Sequence, residues 1–378
     1  MRLLMVSGDR QVTIGERGPF HSMQREFSRY FERVDVICPS PPGEVTVRSI
    51  HDNVFFHPAS CGRAGMVGYI KQRGAELVRE HQPALIVSHD YGWFYNGIGS
   101  AKLSAATGVP YLSEIHHVPG YPVAADWRER FDQFIARRYI AWARSRALAF
   151  RVVNQQEMPQ LLRGWGVPKS QILVLPSLYI DLEVFQAAES RSEPEFDLLY
   201  VGRMVNNKGL LRIADALDGA ARQGHEVRAL FVGRGPFREK LKERLRAHGI
   251  LDRSVFIDWV DTPLALAEYY RKSRVVVCAS TCEGGPRFTV EAMACGTPVV
   301  STRVGVMSEL LEEGGGLLCG FDEASLSEAL IKLWSDPALW MRCSEDAQRI
   351  AGRFGYHEAI AGYALGLQRL VGESEGIA

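Results

Sequence analysis

The chain has 378 residues, of which 46% are apolar and 23% are charged, a composition typical of a globular protein. Its 44 basic and 44 acidic residues balance, which argues against a nucleic-acid-binding protein whose affinity depends on bulk positive charge. The length exceeds what a single core usually supports and predicts two domains. No apolar run approaches the roughly 18 residues of a membrane span, and the seven cysteines include no CxxC pair. These features favour a soluble protein of the reducing cytoplasm.

Short apolar runs alternate with amphipathic segments along the first half of the chain. Strands are predicted at residues 3–7, 34–38, 53–57, 85–88, 111–114, 149–153 and 172–175. Helices are predicted at residues 20–31, 67–80, 101–107 and 125–145. Continuously apolar strands separated by helices indicate a parallel sheet that is covered on both faces.

A polar stretch at residues 186–196 interrupts this pattern and predicts an interdomain linker. The alternation then restarts. Further strands are predicted at residues 197–201, 228–232, 254–257, 274–279 and 298–301. The chain is helical after residue 337, and a last amphipathic helix covers residues 357–371. The class is therefore α/β, with two doubly wound domains whose ligands bind beyond the carboxyl ends of the strands.

The first strand of the second domain leads into a segment suited to binding an anion. Gly202 and Arg203 follow the strand, and Lys208 and Gly209 precede a helix. The free N–H groups and the dipole of a helix N-terminus favour an anion, so two cations at this place indicate a diphosphate site. The spacing is not that of a Walker A loop, GxxxxGK[ST]. A solvated arginine and lysine on a surface loop are the alternative.

The next strand ends in Val232-Gly233-Arg234-Gly235-Pro236. Its glycines allow a ligand to approach the backbone closely, and the proline suits the start of a helix. The segment lacks the third glycine and the distant acid of a dinucleotide fingerprint, so it is a weak signal by itself.

Two carboxylates, Glu283 and Glu291, stand eight positions apart after an apolar run at residues 275–280. Glu291 lies within a predicted helix, where it can accept both hydroxyls of a ribose diol. Glu283 lies on a loop, where it can bind sugar hydroxyls or oppose the charge of a developing oxocarbenium ion. An exposed loop acid and an acid favoured by the helix dipole are the alternatives.

The stretch Glu-Gly-x-Pro-x-x-x-x-Glu-Ala-Met-Ala-x-Gly-x-Pro-Val-Val resembles the signature of the retaining glycosyltransferases of the GT-B fold, glycosyltransferase family 4 (glycosyl transferases group 1). The segments around Gly202 and Gly233 match that family's second-domain motifs in order and spacing. The resemblance implies two Rossmann-like domains facing across a cleft. They would comprise an acceptor-side domain at residues 1–190 and a donor-binding domain at residues 191–354. A crossover helix at residues 355–378 would pack on the first domain.

The resemblance also implies roles for individual residues. Arg203 and Lys208 would bind the diphosphate of a nucleotide-sugar donor, and Glu291 would hold its ribose. Glu283 would be a catalytic contact to the donor sugar. The other donor-binding residues of this domain would be Gly233, Gly285, Pro286, Arg287, Phe288 and Thr289.

The first domain supplies a second set of candidates. A predicted strand runs into Glu114-Ile115-His116-His117, and the family often places a functional histidine here, near the donor sugar. We prefer His116, because strand alternation puts it on the same face as Glu114. A histidine held by hydrogen bonds in a loop is the alternative. Gly15 and Gly18 stand where the family has adjacent glycines and are looser candidates for phosphate or acceptor contacts.

Residues 126–146 mix aromatic and basic side chains on a predicted helix. Such a helix can dock on anionic lipid, which would give a peripheral contact at the inner face of a membrane. The commoner arrangement packs the aromatic residues inward and leaves the arginines solvated.

We therefore expect a cytoplasmic enzyme that moves a hexose from a UDP- or GDP-linked sugar to a hydroxyl of a sugar, lipid-linked or other acceptor, in glycan, glycolipid or glycoconjugate synthesis. No Asp-x-Asp cluster ends a strand, so neither a metal nor a cofactor is expected. One alternative is a nucleotide-sugar epimerase of the same fold, which would turn over donor without acceptor. The other is a non-catalytic protein that binds nucleotide sugars.

Overall fold

The computed structural model describes residues 1–189 and 193–375, which form two units. Unit 1 comprises Met1–Val118, Phe131–Ser177 and His357–Ala378, and unit 2 comprises Pro119–Arg130 and Leu178–Tyr356. The stretch predicted as a linker, residues 186–196, lies partly outside the described residues, as does the end of the predicted crossover segment, residues 355–378. The described part of the predicted linker belongs to unit 2.

The apolar runs form strands, as the alternating pattern predicts. Within the described residues the strands are β1 (Arg2–Val6), β2 (Arg33–Cys38), β3 (Ser49–Ile50), β4 (Val54–Pro58), β5 (Leu85–His89), β6 (Tyr111–Glu114), β7 (Ala149–Val152), β8 (Ile172–Val174), β9 (Phe196–Val201), β10 (Ala229–Val232), β11 (Ser254–Ile257), β12 (Ser273–Cys278), β13 (Val299–Thr302) and β14 (Gly316–Cys319).

Helices connect the strands and cover the two sheets. In the same residues the α-helices are α1 (Pro19–Tyr30), α2 (Met66–His81), α3 (Tyr95–Thr107), α4 (Trp127–Ala143), α5 (Glu157–Gly164), α6 (Leu210–Ala221), α7 (Arg238–Ala247), α8 (Pro263–Arg271), α9 (Arg287–Ala294), α10 (Met307–Glu312), α11 (Glu323–Ser335), α12 (Pro337–Ala351) and α13 (Tyr356–Glu375). The side chains of Thr262, Asp322 and Asp336 accept N–H groups at the starts of α8, α11 and α12, which fixes where these helices begin.

The sheet of unit 1 has the strand order β3-β4-β2-β1-β5-β6-β7-β8 among the described residues. Its strands are parallel except at the edge, where β3 pairs antiparallel with β4. The order reverses between β1 and β5. Loops that follow these two strands therefore diverge to opposite faces of the sheet and leave a crevice beyond the strand ends.

The sheet of unit 2 is parallel and has the order β11-β10-β9-β12-β13-β14 in the described part of the chain. This is the 3-2-1-4-5-6 order of the doubly wound fold, and its switch point lies between β9 and β12. Leu199, Val276 and Val299 are fully buried, as expected for strands that are covered on both faces.

Helix α13 belongs to unit 1 from His357 onward. Its buried face includes Ile360, Tyr363 and Leu367. The ring of Tyr363 lies 5.0 Å from that of Phe27 on α1. Helix α13 thus completes the part of the unit 1 core that lies against α1.

Several elements differ from the sequence prediction, and a local reason is evident for helix α3 and strand β14. Helix α3 begins at Tyr95, whereas its predicted start is residue 101. The prediction is too late because Gly97 and Gly99 lower the helix propensity of this stretch. Close packing of α3 on α2 offsets this low helix propensity, since a Cβ on Gly99 would lie 2.8 Å from Ile70 on α2. Strands β3 and β14 and helices α5, α10 and α11 have no counterpart among the predicted elements. The glycines at residues 314–316 make the start of β14 look like a turn.

Asp90 directly follows β5 and is buried. Ser88 Oγ donates to its Oδ1 at 2.6 Å, Tyr139 Oη donates to its Oδ2 at 2.7 Å, and Ser113 Oγ also donates to Oδ2. Burial raises the pKa of Asp90 to about 7, although these hydroxyl groups act in the opposite direction. The folded chain therefore holds a proton here at pH values where the unfolded chain has lost it. The resulting contribution to stability is complete at low pH and is lost as the pH rises through 7.

Replacing Asp90 by Asn keeps the shape of the side chain and removes its titration. Between about pH 5 and about pH 8 we expect the wild-type chain to lose roughly 3 kcal/mol of unfolding free energy relative to Asp90→Asn. Urea denaturation at both pH values measures this difference, and Asp261→Asn, at an exposed position, is the control. A difference between Asp90→Asn and wild type that does not change with pH would contradict the assignment.

Candidate active site

The loop after β9 lies at the switch point of unit 2. The hydroxyl of Tyr200 donates to the carbonyl oxygen of Arg203 at 2.8 Å, which holds the loop backbone in place. The Arg203 side chain is exposed. Lys208 stands at the end of a short 3-10 turn, and α6 begins after Gly209. The two predicted phosphate-binding cations thus flank the start of a helix, as the sequence indicates.

The loop after β12 brings Glu283 to the same edge of the sheet. Lys208 Nζ contacts Glu283 Oε1, and these side chains are only 15% and 14% exposed. Ser280 Oγ donates to the same carboxylate oxygen at 2.7 Å. Thr302 Oγ1 in turn donates to the carbonyl oxygen of Ser280 at 2.6 Å. A cation predicted to bind phosphate and an acid predicted to bind sugar are therefore partners of each other in this structure.

A cavity of about 460 Å³ opens where β9, β10 and β11 end. It is lined by Val201, Gly202, Arg203, Val232, Gly233, Arg234, Asp258, Trp259, Val260 and Leu266. Gly233 has a φ of +137°, and a Cβ there would collide with the carbonyl oxygen of Gly202. Only glycine therefore lets the loops after β9 and β10 approach this closely. The cavity combines apolar walls, an exposed indole and the cations Arg203 and Arg234.

Glu291 lies on the second turn of α9 and is buried. Tyr270 Oη donates to its Oε2 at 2.9 Å. Burial raises the pKa of Glu291, while this hydrogen bond and the positive charge of Arg287 partly offset the effect. A carboxylate that is held on one oxygen keeps its second oxygen as a hydrogen-bond acceptor.

The other predicted residues of this segment differ in accessibility. The Arg287 guanidinium lies 4.5 Å from the centre of the Tyr179 ring. Gly285 and Phe288 are half-buried, whereas Pro286 is buried. Thr289 is also buried, and both its N–H and its hydroxyl donate to the carbonyl oxygen of Pro286. The Thr289 amide is therefore already occupied within the loop.

Residues 119–130 join unit 2 beside these loops. Val123 N–H donates to the carbonyl oxygen of Thr281 at 3.3 Å. The Asn206 side-chain amide lies 3.3 Å from Asp126 Oδ2 and 3.4 Å from the carbonyl oxygen of Ala125. This segment therefore braces the loops that carry Lys208 and Glu283.

In unit 1 the predicted residue His116 lies close to Glu114, as strand alternation predicts. His116 Nε2 is 3.7 Å from Glu114 Oε2. Burial lowers the pKa of His116, and the nearby charge of Arg151 lowers it further, although Glu114 acts in the opposite direction. His116 is therefore neutral near pH 7. His117 is exposed.

Glu114 is fully buried, and charged or polar side chains lie close to both of its carboxylate oxygens. Burial alone would raise its pKa, but the Arg151 guanidinium, at 2.9 Å, and His89 hold the pKa of Glu114 well below its usual range. Tyr363 on α13 also donates to Glu114 Oε1. The carboxylate beside His116 is thus fixed in its ionised form.

His89, at the end of β5, is a further neighbour of Glu114. Its Nε2 lies 3.0 Å from Glu114 Oε2, and its Nδ1 lies 3.1 Å from the Oγ of Ser7, directly after β1. These contacts place His89 at the switch point of unit 1.

Gly15 and Gly18 are on the loop between β1 and α1. Gly15 ends a 3-10 turn with a φ of +87°, and Gly18 precedes Pro19 at the start of α1. Both lie near the surface, and their predicted ligand contacts stay predictions.

Comparison with known proteins assigns the chain to a family. The family model described as Glycosyl transferases group 1 matches residues 181–350, and the model described as Glycosyl transferase 4-like domain matches residues 20–177. A D-inositol 3-phosphate glycosyltransferase of Arthrobacter sp. (strain FB24) is 30% identical over 307 residues, which cover 76% of this chain and 71% of the relative. The chain belongs to the glycosyl transferases group 1 family.

Solved structures of low sequence identity share the fold of this glycosyltransferase. Sucrose-phosphate synthase from Thermosynechococcus elongatus has a TM-score of 0.78 and 22% identity, with 100% of both chains covered. Anabaena HepE in complex with UDP and glucose has a TM-score of 0.73 and 20% identity, with 98% of this chain and 100% of HepE covered. The expected GT-B fold is confirmed. Within the described residues, no helix combines the length and the apolar character needed to cross a membrane.

Several residues that shape the site of this glycosyltransferase were missed in the sequence. Tyr270 holds Glu291 from another helix, and Ser280 holds Glu283. Trp259 lines the cavity but follows β11 without any motif. In unit 1, His89 and Tyr363 hold Glu114. For His89 the sequence does offer a signal. The His89-Asp90 pair stands at the carboxyl end of a predicted strand, where polar residues often belong to ligand-binding sites.

Proposed function

We propose that this group 1 glycosyltransferase moves a hexose from a UDP- or GDP-linked sugar to an acceptor hydroxyl, with retention at the anomeric carbon. The observation that carries the proposal is the meeting of Lys208 and Glu283 at the switch point of unit 2. A cation for phosphate and a carboxylate for sugar hydroxyls are adjacent there, on the sheet edge that also has the Arg203 cavity.

The donor would occupy this sheet edge in a defined direction. The base would enter the cavity, where Trp259 offers an aromatic face and Val232 and Leu266 offer apolar walls. Arg203 would contact the diphosphate from the same cavity. Glu291, held by Tyr270, would accept the ribose hydroxyls. The HepE structure is a complex with UDP and glucose, which supports a donor of this class.

The proposed reaction needs charge stabilisation rather than an enzymic nucleophile. The bond between the anomeric carbon and the β-phosphate oxygen breaks, and the acceptor oxygen bonds to that carbon on the same face. The acceptor's proton passes to the leaving phosphate oxygen. Arg203, Lys208 and the N-terminus of α6 offset the negative charge of the departing diphosphate. No metal or cofactor takes part in this scheme.

The Lys208–Glu283 ion pair gives this scheme an order of events. Lys208 cannot turn fully to a diphosphate while it neutralises Glu283. Binding of the diphosphate would draw Lys208 away and leave Glu283 free to accept sugar hydroxyls or to oppose positive charge on the anomeric carbon. Recognition of the phosphate would thereby prepare recognition of the sugar.

We assign His116 a contact with the donor sugar. Its neutral ring can exchange a hydrogen bond with a hydroxyl without adding charge. We place the reaction in the cytoplasm, because all seven cysteines are free and six of them are buried. The acceptor hydroxyl would belong to a sugar, a lipid-linked molecule or another compound.

Removing a charge from the proposed site should abolish most transfer. Arg203→Ala, Lys208→Ala and Glu283→Ala should each lower kcat/KM by at least about 100-fold, because each removes charge that stabilises the transition state. Release of nucleoside diphosphate measures the rate, and Arg342→Ala, at an exposed position of α12, is the control. Near-wild-type rates in all three variants would overturn the site. An inverted product would overturn retention, and donor turnover without acceptor would favour the epimerase.

The ion pair also predicts opposite effects of one substitution on binding and on transfer. Glu283→Gln should tighten the binding of the free nucleoside diphosphate by about fivefold, because Lys208 is released and a like charge is removed. Transfer should fall in the same variant. Calorimetric titration measures the binding, and Glu239→Gln, which opens the surface Glu239–Lys242 pair, is the matched control. Unchanged affinity in Glu283→Gln would mean that the pair does not compete with phosphate.

The donor can be identified by its effect on stability. At a concentration of about 100 times its Kd, the true donor should raise the unfolding free energy by about 3 kcal/mol. A thermal-shift panel of UDP, GDP and ADP sugars measures this stabilisation. We expect a UDP or a GDP sugar to stabilise the protein most. Preference for an ADP sugar, or no response to any sugar nucleotide, would refute the proposed donor.

A further inference from the structure

Helix α4 carries exposed aromatic side chains on the side opposite its buried face. Trp127, Phe131 and Phe134 are spaced by four and three residues, so they lie on one side of the helix. They are 71%, 46% and 55% exposed. The buried side is formed by Ala136, Tyr139, Ile140 and Ala143. The inward packing expected as the commoner arrangement is therefore wrong for these three aromatic residues.

Trp93 extends this surface beyond the helix. It lies between β5 and α3 and is 65% exposed. Its ring is 6.2 Å from that of Phe131, which in turn is 6.5 Å from that of Phe134. We call Trp93, Phe131 and Phe134, which all belong to unit 1, the aromatic face. It is a continuous patch rather than a set of scattered side chains, and such patches mark contact surfaces.

Arginines accompany the aromatic face. Arg138 follows Phe134 by four positions and is exposed on the same side of α4. Arg130, Arg137 and Arg144 recur every seven residues and form an exposed row next to it. The acids of α4 are Glu129 and Asp132, and both are only half-exposed. The side of α4 that faces solvent is therefore apolar and positively charged at once.

We propose that the aromatic face docks on an anionic lipid surface, with α4 lying in the plane of the interface. Aromatic rings insert at the boundary between headgroups and acyl chains, and neighbouring arginines bind lipid phosphates. From Phe131 to Ala143 the helix extends about 18 Å at 1.5 Å per residue, which suits a flat surface better than a small ligand. The charge identifies the occupant, because a second copy of this face would bring arginines against arginines.

This contact is independent of the donor chemistry, so it can be tested without donor or acceptor. The full chain is sedimented with vesicles of phosphatidylcholine alone and of phosphatidylcholine mixed with phosphatidylglycerol. We expect strong binding to the anionic vesicles only, and a decrease in binding as salt is raised, because salt screens the arginines. Equal binding to both vesicle types, or none to either, would overturn the proposal.

A pair of matched double variants locates the contact. Phe134→Ser with Arg138→Glu should reduce the partition onto anionic vesicles by at least about tenfold. Met341→Ser with Arg342→Glu makes the same change at an exposed site on α12 and should leave it unaltered. Thermal unfolding checks that both variants are folded. Equal losses in both, or a change of oligomeric mass in the α4 variant without a loss of vesicle binding, would refute docking through this face.

Discussion

The reversal of strand order between β9 and β12 is the constraint on which the candidate donor site depends. Lys208 and Glu283 are 75 positions apart in the chain, yet they touch because these strands are neighbours in a parallel sheet. Parallel strands deliver their following loops to the same edge. The loops after β10 and β11 complete the cavity at that edge, so one topological feature assembles the cations, the acid and the apolar walls.

The two units hold their key carboxylates in different ways. Glu114 in unit 1 is sealed from water, and the full charge of Arg151 compensates its own. Removing either partner would leave a buried charge, which costs several kcal/mol. Glu283 in unit 2 is partly accessible and has a partner on a flexible stem, Lys208. The buried Glu114–Arg151 pair suits a fixed support for His116. The more accessible Glu283–Lys208 pair suits an acid whose partner can be exchanged for a ligand.

The sequence predicts the strands well and the site only in part. The bounds of β6 and β11 match the predicted ones, although only β6 consists of four consecutive buried residues and β11 is a partly exposed edge strand. Motif spacing identifies Lys208 and Glu283 but not their contact, which arises from the strand order. Tyr270 could not be found, since its link to Glu291 joins two helices through no local pattern. The outward aromatic residues of α4 violate the periodicity rule itself, which assigns apolar residues to the core.

Neither unit is one continuous piece of chain. Unit 1 is built from three segments, and its last segment begins only at His357. During synthesis, every residue of unit 2 therefore leaves the ribosome before unit 1 can be completed. Until α13 follows, Phe27 lacks the ring of Tyr363, and Glu114 lacks one of its donors. The nascent protein must accordingly keep the core of unit 1 incomplete while unit 2 forms. A stop codon that removes α13 would therefore destabilise unit 1, including its first segment.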